Sequence, residues 1–403
     1  MTARTRFPRW LAQAACLAGA AMLLWLMPPW ATASGFFIQA SPFVALSSSI
    51  ANRAIGLGAG LSVVVAVLSV VRKRWFCLYV CPTGFLLENA SRQGLRKTGW
   101  WTKLPPVGRH AAILTIVGAV AGYPVLLWMD PLSIFSGPFA LRNAANPVSG
   151  LLVGFGLGTL IAATLVLGMV WCVRICPLGA IQDLLFSTRS LFSNRSTATP
   201  SVQQVLLTRR VIVAGAVGAG LGLWARKAGA ARASDTLLRP PGAVAEERFT
   251  GLCIRCNNCV RVCPSKIIRL DIGEAGLAGL LAPLIRYDKD NYCLEDCNAC
   301  TQVCPSGALQ PLDLPHKNRH IIGEALVDTT LCLLTLGKKD CDACERSCPF
   351  DAIRIVWDEK QYVAYPVIDP TKCNGCGACE VVCPTTRVKA IRVWSPQDTL
   401  TTA

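Results

Sequence analysis

The sequence predicts a two-part protein: a membrane α-helical bundle followed by a small α+β domain rich in cysteine. Apolar residues make up 52% of the 403 residues, which is high for an ordinary soluble enzyme. Residues 1–233 contain 21 Lys and Arg against three acidic residues, whereas residues 234–403 contain 19 against 21. The basic excess therefore lies with the apolar runs and indicates membrane topology rather than a nucleic-acid-binding surface. Of the 21 cysteines, 16 follow residue 250.

Four apolar runs approach the roughly 20 residues that cross a bilayer core of about 30 Å. They are Trp10–Trp30, Ala54–Val71, His110–Met129 and Ser149–Trp171. Basic residues are concentrated at the N-terminus and between the second and third runs, which the positive-inside rule assigns to the cytoplasm. The sequence therefore predicts a four-helix membrane domain over 1–186, with both of its ends in the cytoplasm.

The four runs form two similar pairs, which end in WFCLYVCPTGFLLEN and VWCVRICPLGAIQDL. Each ending contains Cys-x3-Cys-Pro-x-Gly, at the predicted cytoplasmic mouth of a helix. The motif cysteines are Cys77, Cys81, Cys172 and Cys176. Four thiolates from two facing helices could bind an additional iron–sulfur cluster or act as a redox thiol relay. They could also be buried apolar cysteines, and all three interpretations stay open.

After residue 250 the cysteines fall into four regular runs. These are Cys253, Cys256, Cys259 and Cys263; Cys293, Cys297, Cys300 and Cys304; Cys332, Cys341, Cys344 and Cys348; and Cys373, Cys376, Cys379 and Cys383. A proline follows the last cysteine of each run, as in the bacterial motif whose fourth cysteine ligates the neighbouring [4Fe–4S] cluster. The spacing predicts four [4Fe–4S] clusters rather than zinc or disulfides, since zinc sites use separated pairs.

The third run is wider than the others, because eight residues separate its first two cysteines. Cys332 is therefore either a ligand or a bystander. Short apolar strands alternate with the cysteine runs, at 267–270, 352–356 and 390–393. This pattern predicts an α+β ferredoxin-like polycluster domain over 235–403, in which the clusters replace much of an apolar core.

Between the two parts lie a linker, 187–205, and a twin-arginine-like signal or anchor helix, 206–234, with Arg209 and Arg210 before a Gly/Ala-rich run. Such signals export folded cargo, which suits clusters that are inserted in the cytoplasm. We therefore expect an uncleaved anchor in the bacterial inner membrane, a cytoplasmic N-terminus and a periplasmic ferredoxin domain. The alternatives are an ordinary fifth helix, a segment lying on the membrane, and cleavage after Ala231-Arg232-Ala233.

The absence of other motifs narrows the function. No Cys-x-x-Cys-His occurs and histidines number only three, so no haem is predicted. His316 and His320 fit a solvated loop pair. A series of redox clusters next to a membrane domain suggests the membrane quinone pool as the redox partner. Asp130 is the candidate quinol-site acid, and its alternative role is to cap a helix before Pro131.

These motifs resemble those of two known protein families. Residues 1–190, with FCLYVCP and WCVRICP, resemble the NapH-type membrane quinol dehydrogenase subunit, and residues 206–396 resemble the NapG/MauM ferredoxin-type family. The resemblance implies a fusion of the two within a membrane complex. It would oxidise quinol and deliver electrons to a periplasmic reductase or cytochrome, through the cysteines named above. The usual NapH-type subunit continues into a cytoplasmic two-cluster ferredoxin, which the linker and signal replace here.

Other four-cluster ferredoxin subunits imply that the first run couples with the fourth and the second with the third. Whether the chain is itself an enzyme stays open. The alternative function is a maturation or reductant factor that supplies electrons to activate a periplasmic metalloenzyme.

Overall fold

The protein divides into two compact units. A computed structural model describes residues 3–25, 33–56, 59–94, 105–143, 147–192, 209–230, 237–287, 291–360, 362–386 and 388–395. Unit 1 comprises Met1–Arg232, Val244–Val262 and Val303–Ala308, and unit 2 comprises Ala233–Ala243, Cys263–Gln302 and Leu309–Ala403. The division differs from the predicted boundary at residue 235, because part of the cysteine-rich sequence belongs to unit 1.

The regular secondary structure of unit 1 is entirely helical within its described residues. Its α-helices are α1 (Ala3–Trp25), α2 (Ala33–Gln39), α3 (Pro42–Asn52), α4 (Ala59–Val71), α5 (Trp75–Tyr79), α6 (Pro82–Gln93), α7 (Val107–Val120), α8 (Pro131–Ser136), α9 (Pro147–Leu167), α10 (Pro177–Phe192), α11 (Arg209–Ala230), α12 (Glu246–Leu252) and α13 (Asn258–Val262). Short 3-10 segments cover Leu127–Met129 and Gly137–Asn143, and a π-turn covers Trp171–Ile175.

Within the described ranges, no helix has both the length and the apolar composition needed to cross a bilayer. The predicted bundle of four membrane helices plus a signal or anchor helix is therefore wrong, as is the inner-membrane location with a periplasmic ferredoxin domain. Two of the apolar runs are helical over only 13 and 14 residues, in α4 and α7. At a rise of 1.5 Å per residue these helices are only about 20 Å long.

The starts of α3 and α8 meet next to the first Cys-x3-Cys-Pro motif. Ser41 Oγ donates to Asp130 Oδ2 at 2.5 Å, which joins the starts of α3 and α8. Thr83, two residues after Cys81, donates from its hydroxyl to Pro131 O at 2.7 Å. The start of α8 therefore packs against the first Cys-x3-Cys-Pro motif.

The segment predicted as a signal is a packed helix of unit 1. Helix α11 lies so close to α7 that a Cβ on Gly218 would stand 2.6 Å from Leu114 O. Beyond the contact with α7, Arg226 of α11 forms an ion pair with Glu247 of α12 at 2.9 Å. Residues 193–208, which include most of the predicted linker, and the predicted cleavage site at 231–233 lie outside the described residues.

Unit 2 consists of short helices and three antiparallel strand pairs within its described residues. The strands are β1 (Ile268–Leu270), β2 (Pro283–Ile285), β3 (Glu324–Val327), β4 (Ile353–Asp358), β5 (Val363–Ile368) and β6 (Ile391–Trp394). The helices are α14 (Gly276–Gly279), α15 (Ala299–Gln302), α16 (Leu314–Arg319), α17 (Ala343–Arg346) and α18 (Ala378–Val382).

The strands pair as β1 with β2, β3 with β6 and β4 with β5. Their registers place Ile268 opposite Ile285, Val327 opposite Ile391, and Ile353 opposite Ile368. Buried Ile391 and Val393 alternate with exposed Arg392 along β6, the period-2 pattern of a strand with one buried face. The three segments predicted as strands correspond to β1, β4 and β6.

The close packing of α7 and α11 predicts opposite effects for two neighbouring glycines. Gly218→Ala should lower the melting temperature, because its Cβ would collide with Leu114 of α7. Gly220→Ala should leave the melting temperature unchanged or raise it, since a Cβ there meets nothing within 4 Å and alanine favours a helix by about 1 kcal/mol over glycine. Thermal unfolding followed by circular dichroism measures both. Equal melting temperatures would contradict the packing.

Candidate iron–sulfur sites

The 16 cysteines of the four runs gather into four groups of four thiols. In unit 1, set A consists of Cys253, Cys256, Cys259 and Cys304. Cys256 is close enough to both Cys253 and Cys304 to interact electrostatically, and the charge of Arg261 acts on Cys256 and Cys259 together. Three thiols of set A thus come from the first run and one from the end of the second.

Set B, in unit 2, combines the same two runs in the opposite proportion. It consists of Cys263, Cys293, Cys297 and Cys300. Cys300 interacts electrostatically with the other three members. The fourth cysteine of the first run therefore joins three cysteines of the second run.

The third and fourth runs repeat this exchange within unit 2. Set C consists of Cys332, Cys341, Cys344 and Cys383, which line one small cavity together. Set D consists of Cys348, Cys373, Cys376 and Cys379, and Cys379 interacts with each of the other three. Cys332 also acts electrostatically on Cys344, so it lies among the set C thiols rather than apart from them.

The structure thus couples the first run with the second and the third with the fourth. The expected coupling of first with fourth and second with third is wrong. Sequence spacing defines the three ligands within one run but carries no signal for the long-range partner. Neighbouring runs along the chain are the ones that exchange a cysteine here.

The chemistry of the thiol sets fits iron–sulfur clusters. The 21 cysteines are thiols rather than disulfides, and burial raises the pKa of Cys293 to about 11 and that of Cys376 to about 12. Buried thiols of this kind become thiolates when a metal replaces the proton. Backbone N–H groups are aimed at the sulfurs, as in the 3.3 Å bond from Ala352 N to Cys348 Sγ, and such donors stabilise cluster sulfur charge.

In the part of the chain that the structure describes, no three Cys, His, Asp or Glu side chains converge tightly enough to hold one metal ion. The ligands of one zinc must all lie about 2.3 Å from it, whereas the four ligands of a [4Fe–4S] cluster bind four different irons.

The glycines of the fourth run allow its loop to pass close to neighbouring groups. Gly375 and Gly377 have φ angles of +75° and +85°, in the left-handed region that glycine adopts without strain. A Cβ on Gly375 would collide with the backbone of Gly323, and one on Gly377 with the ring of Tyr287. The Cys-Asn-Gly-Cys-Gly-Ala-Cys sequence therefore lets three thiols turn around set D.

Unit 1 contains a fifth group, set E, formed by Cys77, Cys81, Cys172 and Cys176. Cys77 interacts electrostatically with Cys81 and Cys172, and Cys176 with Cys77 and Cys172. Burial raises the pKa of Cys172 to about 11 and that of Cys77 and Cys176 well above the usual value. The duplicated motifs thus bring all four thiols together.

The Cys-Pro-x-Gly part of each motif has a structural explanation. Cys81 caps α6, and its Sγ accepts from Gly84 N at 3.4 Å. In the second copy the backbone N–H of Gly179 donates to Cys176. A Cβ on Gly84 would stand 3.2 Å from Cys77 O, and one on Gly179 would stand 3.3 Å from Cys172 O. Glycine therefore permits the tight return of each helix start onto the preceding cysteine.

Two polar side chains are directed at set E. Gln182 Nε2 donates to Cys77 Sγ at 3.1 Å. Arg74 donates from Nη1 to Cys172 O at 3.0 Å and forms an ion pair with Asp183 at 2.5 Å. The positive charge of Arg74 also favours thiolates at Cys77 and Cys172. A purely apolar packing role for the four cysteines does not explain these contacts.

Comparisons with known proteins agree with the grouping. The family described as "4Fe-4S dicluster domain" matches residues 252–308 and 339–386. The first match spans the first and second runs, and the second spans the fourth run and the third run except Cys332. The family described as "4Fe-4S binding domain" matches residues 55–100 and 149–196, around the two motifs of set E. No solved structure matches the chain.

Among curated relatives, the methylamine utilization ferredoxin-type protein MauM of Methylobacillus flagellatus is 35% identical over 213 residues, which are 50% of this chain and 88% of that protein. The chain belongs to the MauM/NapG ferredoxin-type family. The ferredoxin-type protein NapG of Escherichia coli is 36% identical over 175 residues, covering 42% of this chain and 74% of NapG. The ferredoxin-type protein NapF of Haemophilus influenzae is 32% identical over 148 residues, covering 36% and 74%. Iron–sulfur binding and electron transfer of the ferredoxin type follow from this membership.

In this MauM/NapG-family chain, Asp130 caps helix α8, which was the alternative role predicted for it. It is fully buried, and its Oδ1 accepts from Leu132 N at 2.9 Å at the start of α8. Burial raises the pKa of Asp130 to about 6. Asp130 also interacts electrostatically with Cys81 and Cys176, so it lies near set E; its role at a quinol site stays a prediction.

The histidines take no part in the thiol sets. His316 is exposed and its Nδ1 contacts Asp313 Oδ1 at 2.5 Å. Burial lowers the pKa of half-buried His320. Sequence patterns did not predict the roles of Lys317, which lies between them, or of Arg74 and Gln182. No motif marks these residues, because their contacts with the thiol sets connect distant parts of the chain.

The observed coupling predicts which cysteines share one cluster in this ferredoxin-type chain. Cys263→Ala and Cys300→Ala should abolish the same electron paramagnetic resonance (EPR) signal after anaerobic reconstitution and dithionite reduction, because both thiols belong to set B. Cys259→Ala, four positions before Cys263, should abolish a different signal. Loss of one common signal in Cys263→Ala and Cys379→Ala would instead support coupling of the first and fourth runs.

The position of Cys332 predicts a loss of iron. Cys332→Ala should retain about four fewer iron atoms per chain than the unsubstituted protein, the content of one cubane. Cys16→Ala is the matched control, since Cys16 belongs to none of the five sets. Iron and acid-labile sulfide analysis measures both variants. An unchanged iron content in Cys332→Ala would make this cysteine a bystander.

Proposed function

We propose that this chain is an electron-transfer protein with four [4Fe–4S] clusters in sets A to D and a fifth in set E. The observation that carries the proposal is the gathering of 16 cysteines into four sets, each with three thiols from one run and one from its neighbour. When bound, each cubane supplies one-electron redox chemistry. The thiol sets would hold the clusters, and their surroundings would exclude water and set their potentials.

In unit 2, the residues of sets B, D and C are neighbours. Cys293 N of set B donates to Cys376 O of set D at 2.9 Å. Tyr287 is buried beside both sets, and its hydroxyl donates to Gly375 O at 2.7 Å. Cys379 of set D in turn interacts electrostatically with Cys344 of set C. These contacts join set B to set D and set D to set C, an order that supports electron transfer from one set to the next.

In unit 1, sets E and A border the same apolar core. This core contains Cys81 and Cys176 of set E, Cys256 of set A and, around them, side chains such as Leu132. Ser136, at the end of the helix that Asp130 caps, donates to Cys256 O at 3.1 Å. Because one short helix connects the surroundings of the two sets, we assign set E a redox role with set A.

A fifth cluster explains set E better than a thiol relay does. A relay needs two thiols, whereas four meet here with a hydrogen-bond donor and an arginine directed at them. Four thiolates carry enough charge to need such compensation, and four is the number that a [4Fe–4S] site takes. The matches to the "4Fe-4S binding domain" family around both motifs support the same assignment.

We further propose that quinol is the electron donor and that a separate reductase or cytochrome is the acceptor. The resemblance of residues 1–190 to a NapH-type quinol dehydrogenase subunit supports the donor. Buried Asp130, near Cys81 and Cys176, places an acid near set E, where quinol oxidation would release protons. The similarity to NapG supports a redox complex in which the chain passes electrons to another protein.

The proposal is tested with the full chain, reconstituted with iron and sulfide without oxygen. Five cubanes should give about 20 iron atoms per chain and four should give about 16. Menadiol, a soluble quinol, should reduce the protein in stopped-flow experiments followed by absorbance. Cys77→Ala and Cys176→Ala should lower the iron content to that of four cubanes and slow this reduction about tenfold or more, a barrier increase of about 1.4 kcal/mol.

Dithionite reduction of the same variants is the control, because it should reach sets A to D regardless of set E. The Cys16→Ala variant should behave as the unsubstituted protein does. An iron content of about 16 in the unsubstituted protein would remove the fifth cluster from the proposal. Slow or absent reduction by menadiol with full iron loading would instead favour a reductant factor that activates a metalloenzyme.

A further inference from the structure

Lys317 is a fully buried basic residue beside set B. It lies in α16, and its side chain has no solvent exposure. Its Nζ donates to the carbonyl oxygen of Leu294, one residue after Cys293, and it also hydrogen-bonds the Cys293 thiol. Its charge reaches Cys300 as well. A lysine of this kind is rare, since burying an ammonium group is costly unless a negative charge compensates it.

Among the described residues, the hydrogen-bond partners of Lys317 Nζ are the Leu294 carbonyl oxygen and the Cys293 sulfur, and neither is a carboxylate. The Cys293 sulfur can supply a negative charge in contact with Lys317 when it is a thiolate. Protonated thiols would leave the buried ammonium beside a neutral sulfur, whereas four thiolates around a cluster give the site net negative charge. Lys317 and set B thus compensate each other's charge when the site is loaded.

Other sets have a basic side chain in a comparable place. In set A, Arg261 is buried and its charge acts on Cys256 and Cys259. In set C, Lys389 Nζ donates to Cys383 O at 2.5 Å. Among these, Lys317 is the residue whose side chain is fully buried, where water screens its charge least.

We propose that Lys317 sets the reduction potential of the cluster in set B by placing a buried positive charge against the Cys293 thiolate. The inference rests on the proposed occupation of set B by a [4Fe–4S] cluster. Reduction adds one negative charge to the site, and a fixed cation stabilises that charge. Lys317 therefore raises the reduction potential of this cluster.

The test replaces Lys317 by Met, which keeps a long side chain without the charge, and by Arg, which keeps the charge. The variants are reconstituted in the full chain, and the midpoint potential of each cluster is measured by redox titration followed by EPR. The signal of set B is identified as the one that Cys300→Ala abolishes. Lys338→Met, which removes an exposed lysine, is the matched control.

Lys317→Met should shift the reduction equilibrium of the set B signal about tenfold toward the oxidised form, equivalent to about 59 mV for one electron. Lys317→Arg should restore most of the shift, and Lys338→Met should leave it unchanged. An unshifted set B signal in Lys317→Met, with full iron content, would overturn the inference and leave the proposed function intact. Absence of a set B signal in the unsubstituted protein would instead overturn the proposed function.

If Lys317→Met does not retain the set B cluster, iron content decides the question. Loss of that cluster in Lys317→Met and Lys317→Gln but retention in Lys317→Arg supports compensation of the cluster charge. Loss in all three variants shows that side-chain shape matters and overturns the inference.

Discussion

The burial of thiol groups is the constraint on which this structure depends. Sulfur ligands must be shielded from water to protect a cluster, yet burial disfavours the thiolate form, as the raised pKa of Cys172 and Cys293 shows. Metal binding reverses that preference, and backbone N–H donors and basic side chains assist it. The short strands and helices of unit 2 serve mainly to bring those donors to the sulfurs. Cluster binding should therefore contribute to the folding of unit 2.

The same constraint explains the local sequence around each thiol. Gly84 and Gly179 let a helix start return onto a preceding cysteine, and Gly375 and Gly377 let a loop turn around set D. The prolines begin helices at their first position after Cys81 and Cys176, where no hydrogen-bond donor is needed. Residues that look like motif spacers thus have defined steric roles.

The sequence predicted local contacts but not the long-range grouping of the thiols. Close spacing reports contacts within one run, so the thiols that lie together within each run and the strands at β1, β4 and β6 could be predicted. The role of the 16 cysteines as cluster ligands stays a prediction. Cys263 joins the set of the second run and Cys304 joins that of the first, which depends on long-range folding and has no local sequence signal. The contacts of Lys317 and Arg74 with the thiol sets could not be predicted for the same reason. The membrane bundle was wrong because hydropathy reports composition, whereas crossing a bilayer also needs helix length that α4 and α7 lack.

The exchange of the fourth cysteine also has a consequence for biosynthesis. Set B is complete when Cys300 emerges from the ribosome and set A when Cys304 emerges, but neither can close earlier, although Cys253 appears about fifty residues before. Sets D and C close in the same way at Cys379 and Cys383, close to the end of the chain. The first thiols of each pair of sets therefore emerge well before their last partners. For the clusters proposed in sets A to D, the two sites of each pair become complete within four residues of each other, whereas set E is complete at Cys176.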